Sequence, residues 1–279
     1  MKVAVTGASG FVGRHVLAEL EKRCVETVAT STTVSGRAAT TIGATRWVAL
    51  DIKRPQQNGL AALGHPDVVI HLAWTGLPNY KSLHHVETEL PAQYRFIRQL
   101  VGEGLKSLVT VGSCFEYGFQ YGPLAANAET RPSNPYGLAK DTLHRQLQFL
   151  KAKHPFNLTW ARLFYMYGEG QPETSLLPQL KKAVSEGQSV FNMSQGEQLR
   201  DYLHVTDVAR RLVDLAIDPQ DRGAINVCSG VPISVRRLVE NWIKKNDWKI
   251  ELGIGHFSYP DYEPMAFWGI DSTAEGGCR

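Results

Sequence analysis

Lys2-Val3-Ala4-Val5-Thr6-Gly7-Ala8-Ser9-Gly10-Phe11-Val12-Gly13 decides the fold of this chain. The first five residues are a short, largely apolar run that reads as a strand. Glycines follow at 7, 10 and 13, and Val12, Val16 and Leu20 mark an i, i+4, i+8 stripe that opens a helix. A strand that turns through glycines into a helix is suited to a pyrophosphate. Glycine permits the tight turn and the close backbone approach, while free N–H groups and the dipole at the helix amino terminus favour negative charge. A glycine turn with no ligand would look the same in isolation; the placement between strand and helix selects a dinucleotide site. Its candidate residues are Gly7, Gly10, Phe11, Val12 and Gly13.

Outward from this stretch the same alternation continues. Glu26 to Thr30, Arg46 to Leu50, Asp67 to Ala73 and Ser107 to Gly112 are short runs rich in Val, Ile, Leu and Thr. Being nearly all apolar, they predict strands covered on both faces, as in a parallel sheet. Leu90 to Val101 is long enough to be a crossover helix. The fold class is therefore α/β, a doubly wound parallel sheet of Rossmann type with a smaller C-terminal lobe packed onto it. Helices are expected over Ser175 to Glu186, Thr206 to Ile217 and Ser234 to Lys245, and a short strand near Ala224 to Val227. Residues 1–165 read as the dinucleotide-binding domain and 166–279 as the lobe, interleaved with it. Thr30 to Thr45, rich in Ser, Thr, Ala and Gly, reads as a mobile loop.

Composition narrows the class. The 279 residues are 43% hydrophobic and 20% charged, which excludes a disordered or fibrous chain. Thirty basic against twenty-seven acidic residues leave +3, with no basic block, so nucleic acid is not an expected partner. Cys24, Cys114, Cys228 and Cys278 lie far apart, against a zinc site or a disulfide framework. With neither a signal peptide nor a membrane-spanning run in evidence, the expectation is a cytoplasmic globular protein.

Two features speak to chemistry. The second strand ends Ala29-Thr30-Ser31-Thr32, without the carboxylate that holds the ribose 2′-hydroxyl of NAD; Arg14 and Arg37 are the nearby cations. NADP(H) is favoured on this reading, with NAD(H) the other option. Tyr136-Gly137-Leu138-Ala139-Lys140 places a phenol and an ammonium at i, i+4 on one helix face, where Lys⁺ would lower the tyrosine pKa. One such pair arises easily by chance. Ser113 adds to it, because it follows the fifth strand at the ligand-binding end of the sheet.

The ordered set of motifs resembles the extended short-chain dehydrogenase/reductases, in the NAD-dependent epimerase/dehydratase branch that acts on nucleotide-sugars. The set comprises the glycine turn, Asp51-Ile52, His71-Leu72-Ala73, Gly112-Ser113 with Tyr117-Gly118, and Asn134 to Lys140. It continues with Arg162-Leu163-Phe164, Tyr167-Gly168, Arg200-Asp201-Tyr202-Leu203-His204-Val205 and Asn226-Val227-Cys228-Ser229-Gly230. The resemblance implies Tyr136 as acid–base, Lys140 as its partner on the nicotinamide ribose, and Ser113 bonding the reacting oxygen. It also implies Asp51 and Ile52 at the adenine, Leu72, Ala73 and Trp74 along the cofactor, and a homodimer. Arg200 would face the substrate diphosphate, with Glu116 and Tyr165 as further candidate substrate contacts.

Departures from the family pattern are informative. Sugar 4,6-dehydratases carry Asp-Glu directly after the reactive Ser or Thr; here Cys114-Phe115 stands there. Glu116 follows, turned away if the segment is extended. This argues against dehydration. Tyr165 replaces an expected asparagine, and Ser258 to Pro264 replaces the arginine usually found before the final acidic segment. Glu89 takes the place of an inward asparagine and reads as a solvated helix acid in preference to a proton-relay group. Trp242 and Trp248 read as packing, and His84-His85 as no metal site, since adjacent helix residues do not face one ion. The expected function is an NADP(H)-dependent reductase of a nucleotide-linked 4-keto-6-deoxy sugar. The alternatives are a C4 epimerase with retained NAD and a non-catalytic redox sensor.

Overall fold

The computed structural model describes residues 1–32, 41–42, 45–54 and 57–271. In chain order the elements begin β1 (Lys2–Thr6), α1 (Phe11–Lys22), β2 (Glu26–Ser31), β3 (Thr41–Ile42), β4 (Thr45–Ala49), α2 (Gly59–Ala62) and β5 (Val68–His71). A π-helical turn, His85–Glu89, leads into α3 (Leu90–Gly102), then come β6 (Ser107–Ser113), a 3₁₀ turn (Cys114–Tyr117), β7 (Gly122–Leu124) and α4 (Pro135–Lys153). The second half holds β8 (Asn157–Leu163), β9 (Tyr165–Tyr167), α5 (Leu176–Ser185), β10 (Val190–Asn192), β11 (Leu199–His204) and α6 (Val205–Ile217). It ends with β12 (Gly223–Val227), β13 (Pro232–Ser234), α7 (Val235–Asn246), β14 (Glu251–Gly253) and β15 (Phe267–Gly269).

The main sheet runs β12-β8-β6-β5-β1-β2-β4-β3. Every neighbouring pair is parallel except β3 against β4. The apolar runs account for this: all four residues of β5 and all seven of β6 are buried, as strands with helices on both faces must be. On one face α3 and α4 contribute Phe96, Ile97, Leu100, Leu143 and Leu147 to the core. On the other, α1 and α6 contribute Val16, Leu20, Val208, Leu212 and Val213. Thus α6 and β12, which come late in the chain, complete the layers begun by β1. A third core, built from α5, α7 and flanking strands, contains Leu177, Leu180, Phe191, Leu238 and Trp242, with Trp248 packed on it. Both tryptophans are packing residues, as expected.

The chain lays β2 and β4 to one side of β1, then returns to place β5 on the other side. This reversal of strand order lies between β1 and β5, and it opens a crevice at their carboxyl ends. The loop expected over Thr30 to Thr45 lies largely outside the described residues, as does Arg37.

Candidate active site

The glycine turn after β1 is packed tightly against its neighbours and could hold a dinucleotide's pyrophosphate. Gly7 has φ +69°, and a Cβ there would stand 2.7 Å from the Ala73 nitrogen, so the turn abuts the loop after β5. A Cβ on Gly13 would come within 2.3 Å of the Gly7 carbonyl. At Gly10, by contrast, a Cβ would meet only the Gly7 oxygen, at 3.1 Å, and is otherwise open. Gly10 is also the N-cap of α1, with no side-chain cap and no acid in the first turn, so the helix terminus offers uncapped N–H donors. Phe11 and Val12 are half-buried beside it, and Arg14 is exposed, its guanidinium beside the Ser9 and Gly10 carbonyls. At the end of β2, Ser31 Oγ lies 3.1 Å from Ser9 Oγ.

The other cofactor candidates line the same crevice. Asp51 accepts the Lys53 N–H at 3.0 Å and pairs with Arg54, while Ile52 is buried. Leu72, Ala73 and Trp74 follow β5 and are half-buried. Trp74 lies under Lys140, whose Nζ is 3.9 Å from the indole centroid.

Ser113, Tyr136 and Lys140 converge at the end of β6. Asn134 caps α4, accepting the Gly137 N–H at 2.9 Å, and Pro135 occupies the first turn. A Cβ on Gly137 would stand 2.4 Å from the Phe115 carbonyl, so only glycine lets α4 approach the 3₁₀ turn this closely. That approach seats Tyr136 against the 3₁₀ turn that follows Ser113, its ring 6.2 Å from that of Phe115. Lys140 Nζ donates to the Val111 carbonyl at 2.9 Å. Burial pushes the Lys140 ammonium down to about 7, opposed by Glu116 and Glu89. Burial also raises the Tyr136 phenol, with the Ser113 hydrogen bond opposing. The sequence expects Lys140 to act on the phenol; here its Nζ stands 5.9 Å from the Tyr136 ring centroid and donates its hydrogen bond to the Val111 carbonyl.

Four other expectations change. Cys114 and Phe115 begin a 3₁₀ turn instead of an extended segment. Glu116 consequently points inward and is fully buried, accepting the Ser113 N–H at 2.7 Å and Arg162 Nε at 2.6 Å, so it supports the serine and does not face a substrate. Burial pushes its carboxyl up and the Arg162 guanidinium opposes. Ser113-x-x-Glu116 is a capping box, a signal present in the sequence. Arg200 is buried too, with 2% of its side chain exposed, pairing with Glu263 at 3.2 Å and donating to the Leu199 and Met265 carbonyls. Asp201, its sequence neighbour, instead binds the Ser229 and Gly230 N–H groups.

Tyr165 donates to the same Glu263 carboxylate, which burial pushes up to about 7. Glu89 is not solvated: it is fully buried and bonded to Lys53, Thr75 and Gln93. Neither Glu263 nor the Glu89 partners carry a periodicity signal, because their contacts cross between separate elements. Around Tyr136 lie the rings of Tyr80, His85 and Phe115, at 5.2 to 6.2 Å between centroids. Among the described residues no cluster of His, Cys, Asp and Glu could hold a metal ion, and no helix is long and apolar enough to cross a membrane. A separate cavity of about 480 Å³ at the α6–β12 edge contains none of these groups; its Arg23, Arg211 and Arg222 are paired with Asp214, Asp271 and Asp218.

Comparison with known proteins agrees with the geometry. The family model described as NAD dependent epimerase/dehydratase family matches residues 3–228. A dTDP-6-deoxy-L-talose 4-dehydrogenase (NAD(+)) of Aggregatibacter actinomycetemcomitans is 28% identical over 270 residues, spanning 96% of this chain and 99% of the relative. A GDP-6-deoxy-D-talose 4-dehydrogenase of the same organism is 24% identical, spanning 86% of this chain and 78% of the relative. MoeE5 in complex with UDP-glucuronic acid and NAD superposes with a TM-score of 0.82 at 26% identity, covering 99% of this chain and 92% of that one. The NADP(H) preference expected from the sequence finds no support in these relatives, whose cofactor, where their names give one, is NAD. With the matched model spanning most of the chain and the Ser113, Tyr136 and Lys140 groups assembled at the crevice, the chain belongs to the NAD dependent epimerase/dehydratase family, within the extended short-chain dehydrogenase/reductases.

Proposed function

We propose that the chain is a nicotinamide-dependent C4 oxidoreductase of a nucleotide-linked 6-deoxyhexose, interconverting the 4-hydroxy and 4-keto sugars. The observation that carries this reading is the assembly of Ser113, Tyr136 and Lys140 with no second acid–base pair beside the serine. Cys114 is buried with its thiol pushed up by burial, and Phe115 has nothing to titrate. Oxidation or reduction at one carbon needs a single proton-transfer group, whereas elimination of water needs more. The names of the two 6-deoxytalose 4-dehydrogenases support the substrate class.

A bound nicotinamide would supply or accept the hydride. Gly7, Gly10, Gly13 and the α1 amino terminus would hold its pyrophosphate, with Asp51 and Ile52 toward the adenine and Leu72, Ala73 and Trp74 along the crevice. Ser113 would bond the C4 oxygen and Tyr136 would give or take its proton. Lys140, placed between the Val111 carbonyl and Trp74, would hold the ribose end and stabilise the phenolate. We take NAD(H) as the cofactor, in line with the relatives, over the NADP(H) that Arg14 suggests.

The test is oxidation of NADH and NADPH in the presence of dTDP-, GDP- or CDP-linked 4-keto-6-deoxy sugars. Turnover with one of them supports the reading, and the ratio of kcat/KM for the two cofactors decides between them. Absence of turnover with all three, with activity on a 4-hydroxy nucleotide-sugar that needs no added cofactor, would instead establish an epimerase.

A further inference from the structure

Glu89 joins two loops that the strand order places on either side of the cofactor crevice. Lys53 follows Asp51 and Ile52 beyond β4, and Thr75 follows Leu72, Ala73 and Trp74 beyond β5. One carboxylate oxygen, Oε1, receives Lys53 Nζ at 2.5 Å and Thr75 Oγ1 at 2.5 Å. The other, Oε2, accepts the Thr75 N–H at 3.3 Å and Gln93 Nε2 at 3.1 Å. Lys53 Nζ also donates to Thr75 Oγ1 at 2.8 Å, and His84 Nε2 lies 3.2 Å from Oε1. The π-helical turn that ends at Glu89 delivers this side chain beneath the loops, and Gln93, one turn on, extends the cluster to His71 in β5.

Burial decides what such a cluster can do. An exposed pair of this geometry would contribute little. Here the carboxylate is fully buried while Lys53 is about one-third exposed. Removing either partner leaves a desolvated group without its counter-charge, so both loops must respond. Ligand binding to loops already fixed in place loses less to ordering than binding to loops that the ligand must itself organise.

We propose that Glu89, through Lys53 and Thr75, is a positioning residue for the dinucleotide: an ion-pair clasp that sets the spacing of the two crevice walls before the cofactor binds. The proposal rests on the cofactor of the family and not on the sugar assigned above, so each can fail alone.

The experiment is calorimetric titration of the purified protein with NAD⁺ and NADH, well below its melting temperature, for the wild type, Glu89→Gln, Lys53→Met and Lys53→Arg. The clasp predicts at least about tenfold weaker dinucleotide binding in Glu89→Gln and Lys53→Met, and recovery of most of that loss in Lys53→Arg, where a guanidinium can rebuild the pair. If Glu89→Gln fails to fold, Lys53→Met and its arginine counterpart keep the comparison intact, since Lys53 reaches solvent. Unchanged affinity in Lys53→Met overturns the proposal, whether or not the melting temperature falls. Weakened binding that Lys53→Arg does not recover also overturns it, because a general loosening of the fold would produce that pattern.

Discussion

Glu116 and Arg162 form an ion pair beneath Ser113, Arg162 Nε donating to Glu116 Oε2 at 2.6 Å with almost no solvent access for either side chain. The second carboxylate oxygen accepts the Ser113 N–H, the Trp160 indole N–H bridges both oxygens, and the Arg162 guanidinium reaches on to the Ala126 carbonyl. The pair therefore connects the end of β6 to β8 and to the loop that follows β7.

Glu116→Gln is expected to lower stability by about 3–5 kcal/mol, since it preserves volume but strands a buried guanidinium. Activity should fall as well, because Ser113 loses a charge-assisted anchor for its backbone. Urea denaturation of the variant beside the wild type checks the first expectation. An unmoved midpoint would mean that Arg162 finds another partner and that the pair is not a fixed part of the site.

Gly10 and Gly13 should respond differently to alanine. At Gly13 the added methyl would overlap the Gly7 carbonyl and Ala8 Cα, so Gly13→Ala should distort the turn and lower the melting temperature as well as cofactor affinity. At Gly10 the methyl meets a single carbonyl oxygen, at a tight 3.1 Å, so Gly10→Ala should lose less stability than Gly13→Ala yet bind the dinucleotide about tenfold or more weakly, by obstructing pyrophosphate approach. Melting curves alongside cofactor titrations separate the two. Equal losses of stability in both variants would contradict the assignment of Gly10 as the phosphate-facing position.

Tyr136→Phe tests the proton-transfer role. The side chain is held by the ring contacts of Tyr80, His85 and Phe115, all of which phenylalanine can keep. Removing the hydroxyl should lower kcat by about two to four orders of magnitude while cofactor affinity changes little. A variant that retains wild-type turnover would show that a group other than the Tyr136 hydroxyl transfers the proton.

The doubly wound half was legible because its strands are buried on both faces and so lack alternation, and because Gly7, Gly10 and Gly13 sit between a strand and a helix. Lys140 and Tyr136 were legible for a similar reason: their spacing is local. β8 was not anticipated as a strand, although it pairs with both β6 and β12. Asn157-Leu158-Thr159-Trp160-Ala161-Arg162-Leu163 places a charged residue where a central strand should be apolar, and Arg162 becomes acceptable only through Glu116 far away in sequence. Glu89 was misread by the same mechanism. On its own helix it looks like one more acid, and what buries it are Lys53 and Thr75, supplied by loops whose proximity is created by the strand order.

Lys140 should give stability an unusual pH dependence in the cofactor-free protein. Its ammonium titrates at about 7 in the fold against an ordinary value of 10.5, so between those limits the unfolded chain binds more protons than the native one. The Lys140 contribution to native stability then rises with pH from about 7 toward 10.5, by as much as a few kcal/mol, because the burial penalty on the charged lysine is present below this window and relieved above it. Lys140→Met removes the titration. Wild type minus variant, measured by urea unfolding across pH 6 to 10, should therefore become steadily more favourable to the wild type above pH 7, with the variant the more stable protein at pH 6. His71 and His144, which burial holds down at about 4, act in a lower window: charging them destabilises the fold as pH falls from 6.5 toward 4, equally in both proteins for His144, whereas His71 also feels the Lys140 charge that the variant removes. Parallel stability curves for wild type and Lys140→Met above pH 7 would show that the buried lysine stays charged, its hydrogen bond to the Val111 carbonyl and its place over Trp74 sufficing to hold the proton.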